Sequence, residues 1–572
     1  MTGGVGEDNL AFDGTEIEDI DQHIISLETQ LQELRAQRNL KVPMSRLPVE
    51  IMTSIFRFCV SHGRSEPRGT RWLAFTHVCR SWRSIALNHA PLWTCIDFSN
   101  MALARMMLER SKNAALDVAI RRLPYGSERQ NALDVIQNQV HRVRHLHVSM
   151  GHVEFLKVLI RVLTHAAPSL RSLKIVNYMN LDLQSDFLAG EAPLLTDLRL
   201  HSTYLSWDSP FLQNLTRLEL SGDSWSNLPT GKQFLDALRR MPMLEVLELR
   251  QILPRAIEGN EVVSLPNLRE LSLEAETDDI EGCAAVLQHI TFPVTTTIRV
   301  SCFSQSHHDG AFDSVLSQLS SLLSNSPSRL ESPRTFKSLW VELETGPDRS
   351  YIALDARNTH IPDYIAHEGS LPTSIVHLEF EWDRSGLRVL EEIKAVIGVL
   401  PIKSLESLHL RGYSGADGGS EDIDETNGGQ SPAANILTKI IEPLLWSTTI
   451  KTLALYGSCY AKELAVFLPM LNTSVQPPIE ALPSMRTLVL SNPGIHFDDH
   501  DEERPFLDQL LGILKSRSEY GRKIEKLVLR SCNGLSREQT VLLRQVAGEL
   551  DWDFEEMLLG TETRTESPED EQ

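Results

Sequence analysis

Apolar residues along this chain fall into two different rhythms. The first runs through Ile17, Ile20, Ile24, Leu27, Leu31 and Leu34, which alternate spacings of three and four. That spacing is the a/d seam of a heptad helix. Glu and Gln fill most of the other positions, and Arg38 and Lys41 end the seam. The pattern predicts a heptad helix over 17–41, with a disordered segment over 1–16 before it. Under three heptads is a marginal length for a helix on its own. Two readings stay open: a short dimerising coiled coil, or a helix laid against the domain that follows.

The second rhythm is apolar-x-x-apolar-x-apolar. It recurs thirteen times, beginning with Val143/Leu146/Val148, Leu170/Leu173/Ile175 and Leu195/Leu198/Leu200 and ending with Met485/Leu488/Leu490 and Ile524/Leu527/Leu529. Trp93/Ile96/Phe98 is a degenerate first copy. The period-two ending of each copy predicts a short strand with one buried face. Between copies lie apolar residues at helical spacing, such as Phe155, Leu156, Leu159 and Leu163, or Val315, Leu316, Leu319 and Leu323. One strand and one helix cannot bury their own apolar faces, whereas stacked units share a continuous core. The expected fold class is therefore α/β. A small helical domain over 42–93 precedes an array over 94–559 with parallel strands on a concave face and helices outside. The array resembles an irregular leucine-rich-repeat solenoid. The Asn or Cys that such repeats carry after the last strand leucine is replaced here by Tyr178, Thr203, Asp223 and Ile252, and only Cys532 fits.

Composition narrows the class. Asp and Glu outnumber Lys and Arg 77 to 55, for a net charge of −22. Backbone-phosphate binding runs on a cationic face, so nucleic acid is not an expected partner. Seven scattered cysteines do not read as a disulfide framework, which points to a reducing compartment, cytoplasm or nucleus. No signal peptide is expected from the Gly-rich, acidic start. No apolar run approaches the ~20 residues of a membrane helix, so no membrane partner is expected either. Residues 412–432 and 560–572 are polar and acidic and are expected to be a disordered loop and a disordered tail.

The segment from Leu47 carries the chemistry of recognition. Pro48 suits the first position of a helix, which would make Leu47 its N-cap, a place where Ser, Asp or Asn is worth ~1 kcal/mol. The helix then presents Ile51, Met52, Ile55, Phe56, Phe58 and Cys59, a stripe wider than one packing face needs. After a polar stretch from Ser61 to Thr70 come Trp72, Leu73, Phe75, Val78, Trp82, Ile85 and Ala86. Some fifty residues make a marginal core. So much apolar surface implies a second face that a partner covers.

The order Leu47-Pro48-Val49-Glu50-Ile51, Val78-Cys79-Arg80-Ser81-Trp82-Arg83 and Leu92-Trp93 is similar to the F-box, notably as it occurs in large fungal F-box families. The resemblance implies docking to the Skp-type adaptor of an SCF cullin–RING ubiquitin ligase. Leu47, Pro48, Ile51 and Ile55 would lie at that interface, with Val78, Trp82 and Trp93 in or beside it. The alternative for this segment is a helical cap that seals the first repeat.

Other constellations carry less. Cys59 with His62 and His77 with Cys79 have the residue types of metal ligands, but Cys59 and Cys79 lie within apolar helical patterns, so no metal and no cofactor is expected. His307-His308-Asp309 and His496 to Asp501 read as solvated loops, and Cys532 as a turn residue. No phosphate loop, nucleophile elbow or paired carboxylate appears, so the chain is not expected to be an enzyme. Residues flanking each strand's second leucine face outward, which places Arg250, Arg299, Trp340, His409, Arg411 and Arg530 on a candidate target-binding face, interspersed with glutamates. Such a face either reads an acidic or phosphorylated protein segment or is mixed surface charge. The leading expectation is an SCF substrate-recognition adaptor. The other is a leucine-rich scaffold without a ligase role, dimeric through the heptad helix.

Overall fold

The computed structural model describes residues 14–62, 71–123, 126–222, 228–305, 310–324, 334–345, 349–361, 374–383, 390–414, 444, 447–456, 482–491, 505–530 and 537–553. Residues 1–13, 63–70, 415–432 and 560–572, with His307–Asp309, His496–Asp501 and Cys532, lie outside them. The chain divides into two compact units, one of 1–174 with 186–194 and one of 175–185 with 195–572.

The first unit begins with helix α1 (Gly14–Leu40), which starts three residues earlier than the heptad pattern predicts. Gly14, Thr15 and Glu16 are therefore helical, not part of a disordered lead. A 3-10 turn over Pro43–Arg46 leads to α2 (Val49–His62). Leu47 is extended and closes the 3-10 turn, and the Pro48 carbonyl accepts from the Ile51 and Met52 N–H groups at 3.1 Å. Pro48 thus opens α2 from just outside it, and Leu47 caps the end of the 3-10 turn and not the start of α2. A second 3-10 stretch (Arg71–His77) and α3 (Arg80–Asn88) complete the helical head. The Cys79 sulfur accepts from the Trp82 N–H at 3.5 Å and caps α3. Three strands follow in this unit, β1 (Cys95–Asp97), β2 (Leu116–Ile120) and β3 (Val143–Ser149), with β1–β2 and β2–β3 both parallel.

Strand β4 (Ser172–Asp182) carries the chain into the second unit. That unit contains β5 (Asp197–Tyr204), β6 (Arg217–Ser221), β7 (Val246–Arg250), β8 (Val263–Ser264), β9 (Glu270–Glu276), β10 (Ile290–Thr291) and β11 (Thr297–Ser304). It continues with β12 (Ser338–Thr345), β13 (Ser350–Arg357), β14 (Val376–Trp382), β15 (Ser407–Ser414), β16 (Thr452–Tyr456), β17 (Thr487–Ser491), β18 (Lys526–Arg530) and β19 (Glu549–Trp552). The last two apolar positions of all thirteen copies of the repeated motif lie on strands. Gly412–Ser414, expected to belong to a disordered loop, continue β15.

The pairings define one long sheet in this unit. β5, β6, β7, β9 and β11 lie side by side in sequence order, all parallel, with motif leucines opposite motif leucines: Leu218 faces Leu247, and Leu247 faces Leu271. The order then departs from the sequence. β14, not β12, lies beside β11. β13 sits antiparallel between β14 and β12, and β12 pairs in parallel with β15. β15 to β19 resume sequence order. An array of uniformly parallel, sequentially stacked strands is thus corrected by a three-strand swap with one antiparallel member. The cause is the hairpin β12–β13, which fixes two strands by local antiparallel pairing before the chain returns.

Apolar stripes of the intervening helices join the leucine side of the sheet. The helix Gly231–Arg239 opens with a reciprocal capping box between Thr230 and Gln233 and buries Phe234, Leu235 and Leu238. Phe312, at the head of the helix Asp313–Ser324, packs its ring 5.0 Å from Phe380 and 5.1 Å from Trp382 of β14. The buried Glu392 side chain accepts from the Trp382 indole and from the Gly310 N–H, so its polar atoms are satisfied within this core.

Candidate docking surface

The helical head buries a compact aromatic centre. Met52, Phe56 and Val60 recur at i, i+4 and i+8 on one face of α2 and are buried. The Phe56 ring stacks on Phe75 at 4.3 Å and meets half-buried Trp82 at 5.3 Å. Trp93 is 0% exposed. Its indole N–H donates to the Ala86 carbonyl at 2.8 Å, and the Arg110 guanidinium lies 4.5 Å over its ring. Trp93, expected in or beside an interface, is therefore a core residue with no exposed surface, and its polar group is satisfied inside.

The opposite side of α2 is apolar too, and it faces outward. Ile51 is 49% exposed, Ile55 half-buried and Phe58 63% exposed, at i, i+4 and i+7. Leu47 (36%), Pro48, Val49 (54%) and Val78 (57%) are exposed as well. One apolar face of α2 is covered and the other is left to solvent, the kind of patch that makes it a candidate interaction surface. His89, close by, has a pKa lowered by burial and by the Arg57 charge. Phe58 also lines a cavity of about 620 Å³ with Arg57, Leu92, Ala115, Asp117 and Arg144.

Helix α1 touches this head by its polar side. Ala36 and Asn39 are half-buried, and the Arg80 guanidinium donates to the Gln32 carbonyl oxygen. These residues share one stripe and line a groove of about 360 Å³ with Val78, Cys79 and Ser81. The apolar seam of α1 lies elsewhere on the helix and takes no part in the contact.

The second unit offers a different surface, the sheet side away from the leucines. Row by row, it changes character along the sheet. Over β5–β14 the residues are charged and mutually neutralised. Arg199 donates to Asp197 at 2.9 Å and approaches Glu219 at 3.7 Å; Arg250 donates to Glu248 at 2.7 Å; Arg299 stands 3.7 Å from Glu270. His377 lies 3.1 Å from Asp355 and 3.9 Å from Glu379, and these two carboxylates raise its pKa to about 9 against the effect of burial. Burial pushes Asp355 up, but the His377 hydrogen bond and charge outweigh it and its pKa falls.

Across β12–β18 the same side becomes aromatic and apolar. Trp340 stacks on His409 at 4.5 Å and on Tyr456 at 5.1 Å, and Ala454, Tyr456, Val489 and Val528 form a buried cluster beside them. His409 is wholly buried, and desolvation lowers its pKa to about 3, so it is neutral and not available to a partner. That corrects its placement on an open face. Arg530 is engaged as well, 2.8 Å from Asp551, while Arg411 stands 3.9 Å from Glu342. The six residues expected on a target face thus do not form an open basic patch. Arg250, Arg299 and Arg411 reach solvent as members of ion pairs.

The repeat pattern does not mark β13 or its Asp355. Gly346-Pro347-Asp348 between two runs of strand-forming residues is the signal that locates them. Among the described residues no cluster of three or more metal-ligating side chains occurs, and no helix is long and apolar enough to cross a membrane.

Residues 44–99 match the family model described as F-box-like. The match covers the 3-10 turn, α2, α3 and β1, and therefore the whole outward apolar stripe. No curated protein matches the chain.

Proposed function

We propose that this chain is a substrate-recognition adaptor of an SCF-type cullin–RING ubiquitin ligase, with its F-box-like domain docking a Skp-type adaptor. The observation that carries the reading is the coincidence of that domain with the second apolar face of α2, exposed at Leu47, Ile51, Phe58 and Val78. The adaptor would cover this face, removing apolar surface from water. The repeated strand motif is read as a degenerate leucine-rich repeat, laid out with one antiparallel strand and not as a uniform solenoid. Its polar sheet side would hold a protein target, and tethering would raise the target's effective concentration at the ligase. The chain supplies no chemistry of its own on this reading and works in the cytoplasm or nucleus. A pull-down with recombinant Skp-type adaptor tests it, comparing the wild-type chain with Leu47→Ala/Pro48→Ala. Capture by the wild type and loss in the double variant supports docking; no capture of either, or equal capture of both, removes it.

A further inference from the structure

We infer that α1 pairs with α1 of a second copy of this chain as a parallel, in-register, two-stranded coiled coil. The seam residues are all open to solvent: Ile17 46%, Ile20 59%, Ile24 47%, Leu27 52%, Leu31 47% and Leu34 63%. The helix is held to its own unit by Gln32, Ala36 and Asn39, a stripe displaced around the helix from the seam, so the fold secures α1 and leaves the seam uncovered. Six side chains, each about half exposed, offer roughly 600 Å² per chain and about 1,200 Å² for a pair, the lower edge of a stable interface.

A second copy is the occupant that fits. The three-four spacing holds over six positions without interruption, which is the knob pattern for an identical helix. Two of the three a positions are Ile and two of the three d positions are Leu, the arrangement that favours parallel pairs. Charge does not choose between orientations. By heptad position the parallel register sets Glu16 against Asp21 twice, beside the His23–Glu28 and Gln30–Arg35 pairs. The antiparallel register that keeps all six apolar layers sets Asp21 against Glu28 twice, so the a and d residues set the orientation. Arg38 and Lys41 fall on the seam beyond Leu34 and end the pairing. The inference does not depend on the adaptor reading, because no docking residue of the F-box-like domain takes part.

Light scattering of the full chain at roughly 50 μM, a concentration suited to an interface of this size, is the test. The expected mass is twice the 64.4 kDa of one chain. Ile24→Asp/Leu31→Asp should give the single-chain mass with unchanged helical circular dichroism. Ile25→Asp, which changes an equally exposed isoleucine off the seam, should stay dimeric. A monomeric wild type, a dimeric seam variant or a monomeric Ile25 variant each overturns the pairing. Glu28→Lys checks the register: it would tighten an antiparallel pair by facing Asp21, so tighter association would overturn the parallel arrangement, and unchanged or weaker association supports it.

Discussion

Replacing Ile51 with Asp separates docking from folding. Ile51 is 49% exposed and stands in the first turn of α2, on the face away from Met52, Phe56 and Val60. Its open surface is on the order of 100 Å², worth about 2.5 kcal/mol at ~25 cal/mol per Å² when a partner covers it. A carboxylate there forfeits that term and must also be desolvated without a partner charge. The affinity for a Skp-type adaptor should fall by about fifty- to a hundredfold or more. The fold should not suffer. No contact in the core is lost, and an acidic side chain in a first helical turn meets the positive end of the helix dipole, a favourable effect of ~0.3–1 kcal/mol. Calorimetric titration of the full-length variant with recombinant adaptor, beside a thermal melt, reads both quantities. A dissociation constant within about threefold of wild type, with an unchanged melting temperature, would refute the assignment of this face.

Three further outcomes follow from the same structure. Trp93→Ala should lower stability by about 3–5 kcal/mol, because it empties a buried site and strands the Ala86 carbonyl, while the folded fraction keeps its adaptor affinity; melts and titration together check this. The raised pKa of His377 means its ion pairs stabilise the fold fully below the unfolded-state value of about 6.5 and lose that contribution as pH rises through about 9, roughly 3 kcal/mol at most; chemical denaturation at about pH 6 and about pH 10 should show the loss, and His377→Gln should abolish the difference. Gly282→Ala should cost about 1–3 kcal/mol by thermal melt, because a Cβ there would collide with the Pro254 backbone carbonyl oxygen, which cannot swing aside as a side chain can.

The outward apolar face of α2 is legible in the amino-acid sequence because it is a local property. Helical spacing alone tells that Ile51, Ile55 and Phe58 share one side of α2 and Met52, Phe56 and Val60 the other. Spacing does not say which of the two sides is covered. Trp93 shows the limit of the same reasoning: its place in a motif cannot distinguish a surface anchor from a core plug, and the Ala86 carbonyl that satisfies its N–H lies seven residues away in a different element. The heptad helix shows another limit. Its seam is plain, but which stripe meets the following domain depends on Arg80 and Gln32, which lie 48 residues apart.

Strand order is hidden for a deeper reason. Every copy of the motif presents the same apolar pair, so any copy can lie beside any other with leucine facing leucine. β12 and β15 are in motif register, Leu339 opposite Leu408, yet β11 meets β14 two residues out of it, with Ile298 opposite Val376 and Val300 opposite Leu378. A shift of two keeps all of these side chains on the buried face, whereas a shift of one would turn them to the other side, so even slips cost little and odd ones are forbidden. Periodicity therefore specifies which face is buried but leaves neighbour and register free within even steps. β13 fixes the choice in this chain. Its residues are buried on both faces, Ile352, Ala353, Leu354 and Ala356 among them, so it shows no alternation for a period-two search to find. Its antiparallel pairing with β12 and then β14 forces those strands to exchange places, and sets Asp355 against His377. The charged cluster that holds a strongly raised histidine is thus created by a strand that the repeat pattern does not contain.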